Sequence, residues 1–200
     1  MNYKNIIVPY LKSGIIEERV ELFRRNFWSN EIPVEIEDII ELKLNIDIFP
    51  IIDFLKLTNM DALITSDWKY IYVDKDEYLD DRRYNRLRFS LAHEIGHFIL
   101  HKRIYDNFGI KTQEDYYKLY RDIPELQYRY LEGQANKFAS YLLIPRRVLA
   151  IKAEEELKNN PSWLRKMDRI KLNSYLAIPL SKIFKVSEEA IRIALGDLFV

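Results

Sequence analysis

The sequence predicts an α+β protein that is mostly helical and carries a small three-stranded sheet. Apolar residues recur at helical spacing in several long segments, whereas they cluster in three short segments between residues 46 and 73. Apolar side chains make up 48% of the 200 residues, so the chain can bury a sizeable core. That length suits one domain, or one domain with a small appendage.

Charge and composition exclude several classes of function. Lysine plus arginine and aspartate plus glutamate both number 31, and this balance gives no whole-chain electrostatic case for nucleic acid or an anionic membrane as partner, although it does not exclude a local basic patch. The chain has no cysteine, which excludes disulfides, thiolate metal sites and cysteine nucleophiles. No secretory leader and no apolar run of about 18 residues stands out. We therefore expect a cytoplasmic protein without a membrane span.

The first half of the chain predicts two helices followed by strands. Residues 15–28 place apolar side chains at helical spacing, and a second helix is expected over 36–44 behind Pro33. The period then changes, and 46–52 reads as a strand. Two further strands, Ala62 to Thr65 and Tyr70 to Val73, are expected to form a hairpin.

The second half centres on a helix predicted from about 82 to 101. No proline interrupts this segment, and its second half is apolar on nearly every side, as in a helix buried at the centre of a domain. Another strong helix is predicted over 128–144, where Pro145 ends it. Between them, 102–127 is polar and rich in tyrosine, which favours loop and short helix.

A break at 159–161 (Asn-Asn-Pro) separates the C-terminal region. Beyond it, 179–184 and 187–195 predict two short helices around a tight turn. We therefore expect a main domain over 1–158 and a C-terminal helical element, similar to a helix-turn-helix, over 159–200.

The buried helix contains His93-Glu94-Ile95-Gly96-His97, an H-E-x-x-H motif. Residues four apart on a helix lie about 40° apart and one turn along, so both imidazoles can bind one ion. Glu94 is then placed to reach a water molecule beside the ion and to act as the catalytic base. Neutral imidazole suits zinc, which lowers the pKa of water towards about 7. The motif predicts one zinc ion per chain, held by His93 and His97.

The alternative is a pair of core histidines satisfied by hydrogen bonds. A random chain of this length would show the motif about once in two hundred. All three histidines of the chain fall between positions 93 and 101, on a strongly predicted helix. Burying two imidazoles and a carboxylate without a metal is costly, which favours the metal site.

A catalytic zinc usually has three protein ligands, and two residues compete for the third place. His101 continues the four-residue series, but it lies about 12 Å from His93 along the helix axis, too far to share an ion. We expect His101 to cap the helix or to form a hydrogen bond near the site. Glu132 shares a helix stripe with small residues that can approach Gly96. It is the better candidate, although the spacing also allows a surface acid.

Asn136 lies one turn after Glu132. Its side chain could accept a hydrogen bond from the free ring nitrogen of a ligating histidine, and such contacts orient metal ligands.

Two separated motifs resemble the ImmA/IrrE family of metallo-endopeptidases. The first runs from Arg88 to His97, and the second from Glu132 to Pro145 in the pattern E-x-x-A-N-x-F-A-x-x-L-L-I-P. The similarity extends loosely from about Pro33 to Pro145, and the hairpin at 62–73 falls where the family carries its small sheet.

The resemblance implies a zincin-like fold with the sheet over the metal helix. It implies that His93, His97 and Glu132 bind zinc and that Glu94 is the general base. The family is known for cleaving helix-turn-helix repressors, so a separately encoded repressor is the expected substrate. That substrate would extend the sheet at an edge strand, for which we predict Tyr70, Ile71, Tyr72 and Val73. A tyrosine is expected to stabilise the oxyanion, but the fourteen tyrosines leave its identity open.

Two other functions remain open from the sequence. The C-terminal helices could bind DNA, yet the would-be recognition helix opens with Glu188 and Glu189, which would repel phosphates. The protein could also be a catalytically quiet zinc protein that regulates by binding a partner. Structural zinc sites are normally closed by a fourth protein ligand, and the absence of cysteine favours an open, hydrolytic site instead.

Overall fold

The computed structural model describes residues 3–109 and 112–198. The described part leaves out residues 1–2, 110–111 and 199–200. The two predicted domain ranges include these residues, and the predicted segment 102–127 includes 110–111. The α-helices are α1 (Ser13–Phe27), α2 (Ile36–Asp38), α3 (Phe54–Thr58), α4 (Lys75–Leu79), α5 (Tyr84–Leu100), α6 (Lys102–Phe108), α7 (Gln113–Asp122), α8 (Glu125–Leu143), α9 (Arg146–Lys158), α10 (Arg169–Phe184) and α11 (Glu188–Leu198). A π-helical turn, Ile39–Lys43, continues α2, and short 3-10 turns lie at Tyr3–Asn5, Asp81–Arg83 and Ser162–Lys166.

The strands are β1 (Asp47–Ile51), β2 (Ala62–Ile64) and β3 (Tyr70–Asp74), in the sheet order β1-β3-β2. Strands β2 and β3 form the expected antiparallel hairpin, and β1 runs parallel to β3. The mostly helical α+β class and the three-stranded sheet are therefore confirmed.

The prediction that Tyr70 to Val73 form an edge strand is wrong. Strand β3 is the central strand, with Tyr70, Ile71 and Tyr72 paired to β1 on one side, and Ile71, Tyr72 and Val73 paired to β2 on the other. The chain crosses from β1 through α3 before the hairpin begins, so the last strand of the hairpin inserts between the first two. Its main-chain hydrogen-bonding groups are used on both sides, and β2 forms the edge next to α5.

Helices α5 and α8 pack closely and form the centre of the molecule. Leu91, Ala92 and Ile95 of α5 are fully buried, as the all-round apolar pattern predicts. The two helices approach most closely at Gly96, where an added Cβ atom would lie 3.0 Å from main-chain atoms of Ala135. This close approach brings the α8 stripe that begins at Glu132 against the histidines of α5.

Two helices differ from the sequence prediction. The second helix begins at Ile36 as predicted, but its continuation Ile39–Lys43 is a π-helical turn and not α-helix. Helix α10 begins at Arg169 and continues through Pro179, so it is far longer than the predicted 179–184. Proline lacks the N–H that would bond the carbonyl of Tyr175, four residues earlier, and the helix continues without that hydrogen bond.

The C-terminal helices are tied to α5 by Arg88. This fully buried guanidinium donates hydrogen bonds to the carbonyls of Val34, Phe184 and Lys185, and so joins three separate segments. At the start of α11, Glu188 and Glu189 form ion pairs with Arg192. None of the helices in the described ranges is long and apolar enough to cross a membrane.

Candidate metal centre

His93 and His97 lie one turn apart on α5 with their rings converging. Their Nε2 atoms are 2.9 Å apart. Glu132 reaches them from α8, with Oε2 3.2 Å from His93 Nε2 and Oε1 3.6 Å from His97 Nε2. These are the three residues that the motif and the α8 stripe single out. Among the described residues they form a group whose possible ligand atoms all lie within 4.8 Å of one another.

The chemistry of this donor set fits a metal ion. When each histidine carries its ring hydrogen on Nδ1, the two Nε2 atoms and the two carboxylate oxygens are all acceptors. Acceptors brought this close together repel one another unless a cation lies between them. A divalent ion meets that need, and nitrogen and carboxylate ligands suit zinc among the common metals.

The protonation of the metal-free site reflects the same need for a cation. Burial opposes charge on His93, but Glu132, Glu94 and Asn136 together raise the pKa of His93 to about 9. Burial lowers the pKa of His97 well below its usual value, and the neighbouring His93 and His101 lower it further. In the absence of metal, the positive charge is therefore a proton on His93.

Glu94 lies outside the group of three and points to the sheet. Its Oε2 accepts a hydrogen bond of 2.8 Å from the N–H of Ile64 on β2, and the residue is only 6% exposed. Burial raises the pKa of Glu94 to about 7, although His93 and the Ile64 hydrogen bond oppose that shift. A carboxyl group with a pKa near neutrality can take up and return a proton efficiently.

Two further side chains contact the histidines from behind. Asn136 Oδ1 lies 2.9 Å from His93 Nδ1. His101, which caps α5, lies with its Nδ1 3.0 Å from His97 Nδ1. Asn136 therefore lies within hydrogen-bond distance of a motif histidine, as the sequence predicts, and His101 both caps the helix and contacts the other motif histidine.

The candidate metal ligands His93, His97 and Glu132 line a cavity of about 270 Å³. Three tyrosines line it together with the histidines: Tyr105, Tyr116 and Tyr128. Sequence reasoning did not select them among the fourteen. For Tyr128 a signal was available, because Tyr128, Glu132 and Asn136 follow one another at four-residue spacing on α8. Tyr105 and Tyr116 lie on α6 and α7, in the segment whose structure the sequence left vague.

The fold and the donor set define a class, that of proteins with a metallopeptidase-type site on a central helix. The chain belongs to the peptidase M78 family: the model of that family, the IrrE N-terminal-like domain, matches residues 78–195, which is more than half of the chain. The resemblance to the ImmA/IrrE family is thereby confirmed, and membership supports a metallopeptidase-type function. The match continues across the predicted domain boundary at residue 158. No curated protein matches the chain.

Proposed function

We propose that this protein is a zinc-dependent endopeptidase in which His93, His97 and Glu132 bind the metal. The observation that carries this proposal is the convergence of His93 Nε2, His97 Nε2 and the Glu132 carboxylate beside a carboxyl group, that of Glu94, which is not part of the group. Three protein ligands leave a coordination position open, as catalytic zinc requires.

The chemical roles follow from the surroundings of each side chain. A bound zinc ion supplies a Lewis acid that polarises a carbonyl and lowers the pKa of water to about 7. Glu94, held by the Ile64 N–H, would take a proton from the water molecule whose oxygen bonds to the scissile carbonyl carbon, and would give that proton to the amine nitrogen as the C–N bond breaks. One of the cavity tyrosines, Tyr105, Tyr116 or Tyr128, donates a hydrogen bond to the developing oxyanion.

We propose that the substrate pairs with the edge strand β2. The central strand β3, which the sequence suggested for this role, has no free edge. The Thr65 N–H donates to the Tyr70 carbonyl on β3. In an antiparallel pair every second residue forms hydrogen bonds with the partner strand, so the main-chain N–H and C=O groups of Ala62 and Ile64 point away from β3. The Ile64 N–H already donates to Glu94, and Asp61, Ala62 and Leu63 line the cavity. An extended peptide that pairs with this edge would pass beside the candidate metal site.

A helix-turn-helix repressor, separately encoded, is the proposed protein substrate. This part of the proposal rests on the family resemblance. Cleavage would relieve repression, and the protein would then regulate transcription through proteolysis and not by binding DNA itself. The acidic first turn of α11, which pairs with Arg192, supports that division of roles.

The test mixes the purified, zinc-loaded protein with candidate helix-turn-helix repressors from the same organism and follows the appearance of a discrete fragment. We expect cleavage that a chelator abolishes and that Glu94→Gln lowers by at least about 100-fold while zinc remains bound. Glu125→Gln, at the exposed start of α8, is the matched control and should keep full activity. His93→Ala should lose both the metal and the activity.

The alternative of a catalytically quiet zinc protein gives a different result in the same assay. It predicts zinc binding by the wild type and by Glu94→Gln with no fragment from either, and capture of the intact repressor. Full activity in Glu94→Gln would contradict the role assigned to that residue.

A further inference from the structure

Three buried side chains form a continuous line of hydrogen bonds behind His97. His97 Nδ1 lies 3.0 Å from His101 Nδ1, and His101 Nε2 lies 3.1 Å from Gln134 Oε1. Gln134 Nε2 donates to the carbonyl of Pro9 at 2.8 Å. All three side chains are at most 5% exposed. The line therefore runs from the candidate metal site, through the interface of α5 and α8, to the N-terminal segment.

The direction of each hydrogen bond can be deduced from its far end. The Pro9 carbonyl can only accept, so the Gln134 amide group donates to it, and the Gln134 oxygen faces His101. That oxygen can only accept, so His101 carries a hydrogen on Nε2. His101 is buried and hydrogen-bonds to His97 and Gln134, neither of which is a carboxylate, so burial favours its neutral form.

A neutral His101 with its hydrogen on Nε2 has a lone pair on Nδ1. The short contact between the two Nδ1 atoms then requires that His97 donates and His101 accepts. His97 consequently carries its hydrogen on Nδ1, and its Nε2 presents a lone pair towards His93 and Glu132. No atom of this line is among the buried polar atoms of the described residues that lack a partner.

We propose that His101 and Gln134 are positioning residues that fix His97 in the Nδ1–H tautomer, so that its Nε2 is ready to bind metal. The proposal rests on the metal site put forward above but not on the peptidase reaction. His93 is oriented differently, by Asn136 at a partly exposed position. The two histidines of the motif thus depend on separate supports, one near the cavity and one buried between helices.

Zinc affinity, measured by competition with a chelator of known affinity, tests the role of the line. His101→Phe keeps an aromatic ring but removes the acceptor, and we expect zinc affinity to fall by about 10- to 100-fold. His101→Asn should keep affinity within about threefold, because Oδ1 replaces Nδ1 as acceptor for His97. Gln134→Leu removes the acceptor of His101, one step further away, and should weaken zinc binding by a smaller factor.

A matched control separates positioning from loss of stability. Leu149 is fully buried on α9, away from the line, so Leu149→Ala should leave a cavity and lower the urea concentration at which the fold unfolds. At a temperature where it remains folded, its zinc affinity should equal that of the wild type. If His101→Phe and Leu149→Ala weaken zinc binding equally, or if His101→Phe leaves it unchanged, the positioning role is refuted.

Nitrogen-15 NMR of the histidines in the metal-free wild type needs no variant and no bound metal. We expect His97 to show a protonated Nδ1 and an unprotonated Nε2, and Gln134→Leu to shift His97 towards a mixture of tautomers. A wild-type His97 protonated on Nε2 would overturn the inference. If zinc does not bind at all while His97 shows the expected tautomer, the metal site fails and the hydrogen-bonded line stands.

Discussion

Gly96 sets how closely α5 approaches α8, and Gly96→Ala tests whether this approach holds the candidate ligands together. An added Cβ would lie 3.0 Å from Cα and O of Ala135 and 3.2 Å from Cβ of Phe138. Carbon atoms in contact prefer about 3.5–4.0 Å, so α8 would retreat by roughly 0.5–1 Å. Glu132 lies one turn before Ala135 and would move away from the histidines with it.

Gly133→Ala is the matched control, because it adds the same methyl group to α8 with no heavy atom within 4 Å. Both substitutions gain about 1 kcal/mol of helix propensity over glycine, so their difference isolates the packing strain. Overpacking costs about 1–3 kcal/mol, and we expect the metal-free Gly96→Ala variant to be less stable than Gly133→Ala by that amount in urea unfolding.

Zinc affinity should change in parallel. To bind zinc, the Gly96→Ala variant must bring Glu132 back to the histidines against the same packing strain. Its zinc affinity should therefore fall by about 5- to 150-fold. That of Gly133→Ala should stay within about twofold of the wild type. Chelator competition measures both. If Gly96→Ala loses stability but binds zinc like the wild type, the close approach of the helices does not position Glu132, and this reasoning is refuted.

Three further predictions concern other parts of the molecule. Arg88→Met should lower the free energy of unfolding by at least about 2 kcal/mol, because two buried carbonyls and one partly buried carbonyl lose their donor; unchanged urea unfolding would contradict this. Since the metal-free pKa of His93 is about 9, His93 is protonated at pH 7, and calorimetry in buffers of different ionisation enthalpy should show about one proton released per zinc ion. The number of protons released per zinc ion should decline above pH 9. If no proton is released at pH 7, the protonation assigned to His93 is contradicted. Replacing Tyr105, Tyr116 and Tyr128 singly by phenylalanine should identify one variant whose kcat falls by about 100-fold or more with unchanged zinc affinity, and three fully active variants would exclude these side chains as oxyanion donors.

Local spacing predicted much of the candidate site. The angle between residues four apart on a helix already brings His93 and His97 together, and it places Asn136 one turn beyond Glu132. Gly96 on one helix and small residues on the other indicated which faces meet, and their contact is close. These inferences succeeded because they depend on geometry within one helix or on one complementary pair of helix faces.

The features that sequence reasoning missed depend on contacts between distant segments. The order of the strands is set by the crossover through α3, and nothing within Tyr70 to Val73 distinguishes a central strand from an edge strand. Tyr105 and Tyr116 reach the cavity because α6 and α7 fold back over it, and the polar composition of that segment does not indicate this. The hydrogen bond from Gln134 to Pro9 joins residues 125 positions apart.

The most direct test of the metal centre is a crystal structure of the zinc-loaded protein with diffraction data collected on both sides of the zinc absorption edge. We predict a single anomalous peak per chain, in contact with His93 Nε2, His97 Nε2 and the carboxylate of Glu132. Glu94 and His101 should lie outside its coordination shell. A peak elsewhere, or a Glu94 carboxylate bound directly to the ion, would contradict the proposed arrangement of ligands and base.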